Sequence, residues 1–125
     1  MNAKSHRVLV VEPDRAIRAL IVAILRRRGH SPDAAETVEE ALELQRSIRP
    51  AAVVVEPRIA NARLLLDALA RADGGTHPAV IVVTSPDRYH TAFSHAPGVR
   101  AVLHKPFRIE ELADAVTTCC ETFAM

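Results

Sequence analysis

Three short apolar runs, Val8-Leu9-Val10-Val11, Ala51-Ala52-Val53-Val54-Val55 and Ala79-Val80-Ile81-Val82-Val83, contain no polar interruption and are rich in β-branched side chains. A strand with one wet face would alternate, so these runs predict strands buried on both faces. Between them the apolar spacing becomes helical. Ile17, Leu20, Ile21, Ile24 and Leu25 recur at i, i+3, i+4, i+7 and i+8, and Gly29 closes that helix. A second helix opens at Thr37, where Thr37 and Glu40 have capping-box spacing, and carries Val38, Ala41, Leu42 and Ile48 on one side. A third holds Leu64, Leu65, Ala68 and Leu69 and stops at Gly74-Gly75. Ser85-Pro86 reads as an N-cap and first-turn proline opening a short, polar fourth helix to about residue 95. The last helix, from about residue 108 to 123, aligns Ile109, Leu112, Ala113, Val116 and Phe123.

Two weaker strands complete the pattern. Residues 30–35 include Pro32, which removes a ladder donor and places the segment at a sheet edge. Residues 99–104 alternate Val99, Ala101 and Leu103 with Arg100, Val102 and His104. Five strands alternating with five helices predict a three-layer α/β fold, a doubly wound five-stranded parallel sheet with helices on both faces. With the first, third and fourth strands central and the second and fifth at the edges, the order 2-1-3-4-5 (flavodoxin-like) is the arrangement that fits. The 125 residues suit one domain spanning residues 1–125, with no repeat, linker or attached output domain expected.

Composition narrows the function classes. At 49% hydrophobic and 25% charged the chain buries a core without staples, and a two-domain enzyme is excluded by length. The formal net charge of +1 gives no global pull toward nucleic acid or a membrane surface, so no direct nucleic-acid or membrane partner is expected and recognition must be local. Apolar runs are too short for a membrane span, and the N-terminus lacks a signal-peptide stretch. Cys119 and Cys120 are adjacent, which suits neither a staple nor a C-x-x-C site. They are expected to pack as small hydrophobes in a reducing, cytoplasmic compartment. Arg26-Arg27-Arg28 ends the first helix, where cations suit its dipole, with DNA contact the lesser reading. His90 and His95 have the wrong spacing for a shared ligand face.

Ligands of such sheets bind at the carboxyl ends of the strands, near the point where strand order reverses. Those ends carry Glu12-Pro13-Asp14, Glu56-Pro57, Thr84-Ser85 and Lys105-Pro106, so carboxylates, a hydroxyl and an ammonium converge on one rim. No G-x-G-x-x-G turn or P-loop follows the first strand, and no Ser, Cys or His nucleophile has a nearby base. That disfavours an enzyme or a small flavodoxin-like ligand-binding protein, and a non-enzymatic role is expected.

The four strand ends, with Val10-Val11-Glu12-Pro13, Val53-Val54-Val55-Glu56, Val82-Val83-Thr84-Ser85 and Leu103-His104-Lys105-Pro106-Phe107, resemble the receiver domain of bacterial response regulators over essentially the whole chain. The resemblance implies an acidic pair at the first strand end, a phosphoacceptor at position 56, a phosphate pocket of Thr84, Ser85 and Lys105, and a cis Lys105-Pro106 bond. Against that pattern Glu56 replaces the family's aspartate, moving its oxygens by roughly 1.5 Å. Pro13 takes the second acidic position and offers no side-chain oxygen, so magnesium binding is expected to be lost or weak and no cofactor is expected. Asp14 lies one residue on and is better placed to cap the first helix. The family's switch aromatic falls on Val102, and Arg58 and Arg63 alter the loop after the third strand. The expectation is an atypical, phosphorylation-independent receiver in which Glu56 partly mimics phosphate beside Lys105. It would meet a protein partner through the fourth helix, fifth strand and last helix, with a homodimer possible. A working phosphoacceptor in a phosphorelay is the alternative.

Overall fold

The computed structural model describes residues 5–71, 77–86 and 93–124, with side chains to residue 121. Strands β1 (Arg7–Val11), β2 (Ser31–Ala35), β3 (Ala52–Val55), β4 (Ala79–Thr84) and β5 (Val99–His104) alternate with helices α1 (Arg15–Arg27), α2 (Val38–Ile48) and α3 (Ala62–Ala70), and α4 (Ile109–Ala124) closes the described chain. All strand pairs are parallel and the order is β2-β1-β3-β4-β5, as the hydrophobic pattern predicts. The expected polar helix after Ser85-Pro86 falls largely on residues 87–92, and the Gly74-Gly75 stop on residues 72–76. Both lie outside the described residues, as does His90.

Local chemistry sets the element ends. Asp14 caps α1, its Oδ1 accepting from the Ile17 amide at 2.9 Å. The helix closes with Gly29 at φ 95, where the Gly29 amide reaches the Arg26 carbonyl at 3.0 Å and the His30 amide the Leu25 carbonyl at 3.0 Å. These two bonds satisfy carbonyls that would otherwise be orphaned, and only glycine takes that φ without cost. Thr37 Oγ1 accepts from the Glu40 amide at 3.2 Å. The return bond of Glu40 goes to the Glu36 amide at 2.8 Å, one residue earlier than a capping box expects.

Alternate strand residues face opposite layers. Val8, Val10, Val54, Ile81 and Val83 pack with Ile21, Ile24 and Leu25 of α1 and Leu112 and Val116 of α4. On the other face Leu9, Val11, Val53, Val55 and Val82 meet Val38 of α2 and Leu65, Leu66 and Leu69 of α3. Each such aliphatic side chain, fully buried, contributes about 1.5–3 kcal/mol. Three expected core residues are exposed instead: Leu20 at 45%, Leu64 at 52% and Ile109 at 56%. Leu20 stands about 100° around the helix from Ile21. In α3 the buried stripe runs Ala62, Leu65, Leu66, Leu69, so Leu66 takes the inward place expected of Leu64. Ile109 is the first residue of its helix, ahead of the turn that meets the sheet.

Cys119 and Cys120 are buried in the α4 seam as free thiols, and burial pushes Cys120 up to about 11. Such thiols remain protonated near neutral pH and pack as small hydrophobes. Among the described residues, no helix is long and apolar enough to cross a membrane.

At the other end of the sheet, buried His30 ties three elements together. Its Nδ1 accepts the His6 amide at 3.3 Å, and its Nε2 lies 3.1 Å from Thr117 Oγ1 on α4. An Nδ1 that accepts an amide is unprotonated, so Nε2 carries the hydrogen. Burial, then His6 and Arg28, lower the His30 pKa, while Glu121 works the other way. The unfolded chain takes up the proton near pH 6.5 and the folded one resists it, so stability present above that value is lost as pH falls through the folded pKa. Urea midpoints are expected to drop between pH 7.5 and pH 5, and His30→Gln to flatten that dependence. An unchanged pH profile in the variant would show that His30 does not carry it.

Candidate functional site

The backbone ladder runs past the strand ends and fixes the rim before any side chain acts. The Glu12 amide reaches the Ala35 carbonyl at 3.1 Å, the Glu56 amide the Val11 carbonyl at 3.0 Å, and the Lys105 amide the Thr84 carbonyl at 2.9 Å. Glu12, Glu56 and Thr84 are buried at 2%, 5% and 0% exposure. Such buried polar groups require partners.

Lys105 supplies two of them. Its Nζ donates to Glu12 Oε1 at 2.8 Å and to Glu56 Oε1 at 2.7 Å, bridging the ends of β1, β3 and β5. The second oxygen of Glu12 accepts the Asp14 amide at 3.0 Å, and that of Glu56 accepts the Arg58 amide at 2.9 Å and the Thr84 hydroxyl at 3.0 Å. Every carboxylate oxygen of the pair is therefore engaged. Burial opposes the Lys105 charge, but the hydrogen bonds and attraction of Glu12 and Glu56 outweigh it and raise the ammonium's pKa. The Lys105-Pro106 bond is cis, as the resemblance implies.

The remaining expected residues divide. Pro13 is exposed and contributes only its carbonyl, which Arg18 Nη1 reaches at 3.3 Å while also holding the Glu12 carbonyl at 2.9 Å. Arg18 was not singled out from the sequence, although its place one turn into α1 puts a long donor under the β1 loop. Asp14 is committed to the helix cap rather than turned into the rim. Ser85 is half-buried, and among the described residues no hydrogen bond ties it to the pocket. Val102 pairs with Val82 and packs against the α2–α3 side of the core. Arg63 lies over the Phe93 ring, 5.1 Å from its centroid.

A magnesium ion wants near-octahedral oxygen ligands and usually draws one or two carboxylates with water and phosphate oxygens. Here the two carboxylates converge on an ammonium, and among the described residues no group of three or more His, Cys, Asp or Glu is placed to hold a metal. The donor set as arranged fits Lys105, not a divalent cation.

No family model matches the chain. A response regulator, MprA of Mycolicibacterium vanbaalenii, is 34% identical over 110 residues, covering 85% of this chain and 46% of that protein. The chain thus spans about half the length of that relative. Among solved structures, the signal receiver domain of a Luxo repressor protein from Vibrio parahaemolyticus superposes with a TM-score of 0.83 at 17% identity, covering 97% of this chain and 94% of that one. The chemotaxis response regulator CheY4 of Vibrio cholerae gives a TM-score of 0.79 at 18% identity, covering 93% and 99%. At those identities the structures speak to the fold. Sheet order, strand-end chemistry and the sequence likeness together define a response regulator receiver domain. The proteins this chain is similar to are named as a response regulator, a signal receiver domain and a chemotaxis response regulator.

Proposed function

We propose that this receiver holds its switch pocket in one setting without phosphoryl transfer, and signals by presenting a surface to a protein partner. The observation that carries the reading is the Lys105 ammonium between Glu12 Oε1 and Glu56 Oε1, at 2.8 and 2.7 Å. In a phosphorylated receiver, by the family resemblance, the hydroxyl and the lysine meet phosphoryl oxygens. Here Thr84 and Lys105 are both satisfied by Glu56 itself. The mimicry is partial, because a carboxylate brings about one negative charge where a phosphate monoester brings nearly two.

Geometry also stands against Glu56 as an acceptor. In-line transfer places nucleophile, cation and phosphorus together, and a misplacement of about 1 Å costs on the order of a hundredfold. With Pro13 lacking a side-chain oxygen and Asp14 engaged at the α1 cap, the magnesium cradle is reduced, and Lys105 supplies the compensating positive charge. The pocket is thereby degenerate as a phosphorylation site and intact as a structural latch. We place the protein in the cytoplasm, with the partner or a second copy meeting the face made by β5, α4 and the segment before β5. Without an aromatic at position 102, that surface is constant rather than reporting a ring flip.

Incubation with magnesium and a small acyl-phosphate donor, read by intact mass, tests the reading. The expected result is an unmodified chain under conditions that phosphorylate an ordinary receiver. A phosphoryl adduct on this polypeptide, removed by hydroxylamine as an acyl phosphate is, would establish the working phosphoacceptor instead.

A further inference from the structure

The sheet end opposite the rim gathers the C-termini of α1, α2 and α3. Arg26 and Arg27 lie in the last turn of α1, Arg46 and Arg49 at the end of α2, and Arg71 at the end of α3, all exposed. The bonds from the Ser31 amide to the His6 carbonyl and from the Ala51 amide to the Arg7 carbonyl, each 2.9 Å, bring the exits of α1 and α2 to either side of the β1 entrance. Arg7 and Arg28 are neutralised by Asp33 and Asp114. None of the other five enters an ion pair among the described residues. Glu121 of α4, Glu43 one turn before Arg46 and Asp67 one turn before Arg71 are the exposed acids nearest them. The exposed acids of the helix starts, Glu39, Glu40, Glu110 and Glu111, stand at the opposite end. That end also carries Arg15, Arg58, Arg63 and Arg108, so the five arginines stand out by lacking ion-pair partners among the described residues rather than by a bipolar charge.

A second observation singles out Arg49. It ends α2 at φ 46 and ψ 68, a left-handed conformation that favours glycine and disfavours a residue with a Cβ. The helix dipole rewards a cation in the last turn, a place Arg46 already fills, and does not call for one in this conformation.

We propose that this end binds the phosphodiester backbone of duplex DNA without reading its sequence. Guanidinium groups pair bidentately with phosphate oxygens. The sheet is about 20 Å wide for five strands, and a duplex offers roughly a dozen charges over that length. A protein partner would call for a buried apolar or aromatic anchor. The exposed Leu20, Leu64 and Ile109 lie in the middle of α1 and at the starts of α3 and α4, and the apolar cleft lined by Leu69, Ala70, Pro78, Val80, Pro97 and Gly98 lies beside Arg71 alone of the five. Single strands would call for stacking platforms. Phe93 is buried and Phe107 follows β5 at the other end.

Fluorescence anisotropy of a short labelled duplex, titrated with the full chain between about 50 and 200 mM salt, tests the proposal. A log–log salt slope of about −3 to −4.5 is expected, matching three to five phosphate contacts. Arg46→Gln with Arg49→Gly should make the slope shallower by about 2. Arg49→Gly alone should weaken binding several-fold while raising the melting temperature by a few degrees, since glycine takes the φ freely. A purely structural Arg49 would not separate the two readouts in that direction. Absence of binding at about 50 mM salt, poly-glutamate competing as well as unlabelled duplex, or a double variant that binds like the parent would each overturn the proposal.

Discussion

Replacing Lys105 by methionine is expected to cost about 3–5 kcal/mol of folding stability near neutral pH, because it strands two buried carboxylates that now face one ammonium. The side chains involved are 16%, 3% and 5% exposed for Lys105, Glu12 and Glu56, so solvent screens them far less than it screens Arg7–Asp33. An exposed pair of that kind contributes only about 0–1 kcal/mol. Adding Glu12→Gln to the Lys105 variant should recover much of the loss, since Glu56 keeps the Thr84 hydroxyl and the Arg58 amide. Urea denaturation of the parent and both variants near neutral pH checks the set. A cost below about 1 kcal/mol would mean that Lys105 is an ornament of the rim rather than its tie.

The second large effect is a gain. On the proposed reading, Pro13→Asp together with Glu56→Asp should create a magnesium-dependent phosphoacceptor. The shorter side chain at 56 draws its oxygens back by roughly 1.5 Å and loosens them from Lys105. The carboxylate at 13 restores an oxygen ligand beside Glu12. Glu56→Asp alone should lag the pair by on the order of a hundredfold in rate, the scale of a misplaced reacting group. Phosphoryl incorporation followed by intact mass, and magnesium affinity by calorimetry, read the two halves separately. A double variant that binds magnesium yet never accepts phosphoryl would show that the obstacle lies beyond these two positions.

Much of the fold was legible because the strands are continuous apolar runs, which a parallel sheet covered on both faces requires. Helix orientation was less so. Leu64 and Leu66 are both leucines two positions apart, and only the packing of α3 against the sheet decides which one turns inward. The contact between Lys105 and Glu56 followed from the extra methylene at 56. The equal bond to Glu12 was missed, although glutamate at both acidic strand ends was the signal that two long carboxylates could meet one ammonium. The basic end escaped notice because a chain-wide charge sum discards position, and helix C-termini far apart in sequence become neighbours only after the sheet forms.

A pocket whose countercharge is a covalently attached side chain has no off-rate and no consumable reagent. If Lys105 holds that post throughout the protein's life, the domain keeps no record of recent stimulus, and the cell can grade its message only through the number of copies it makes and destroys.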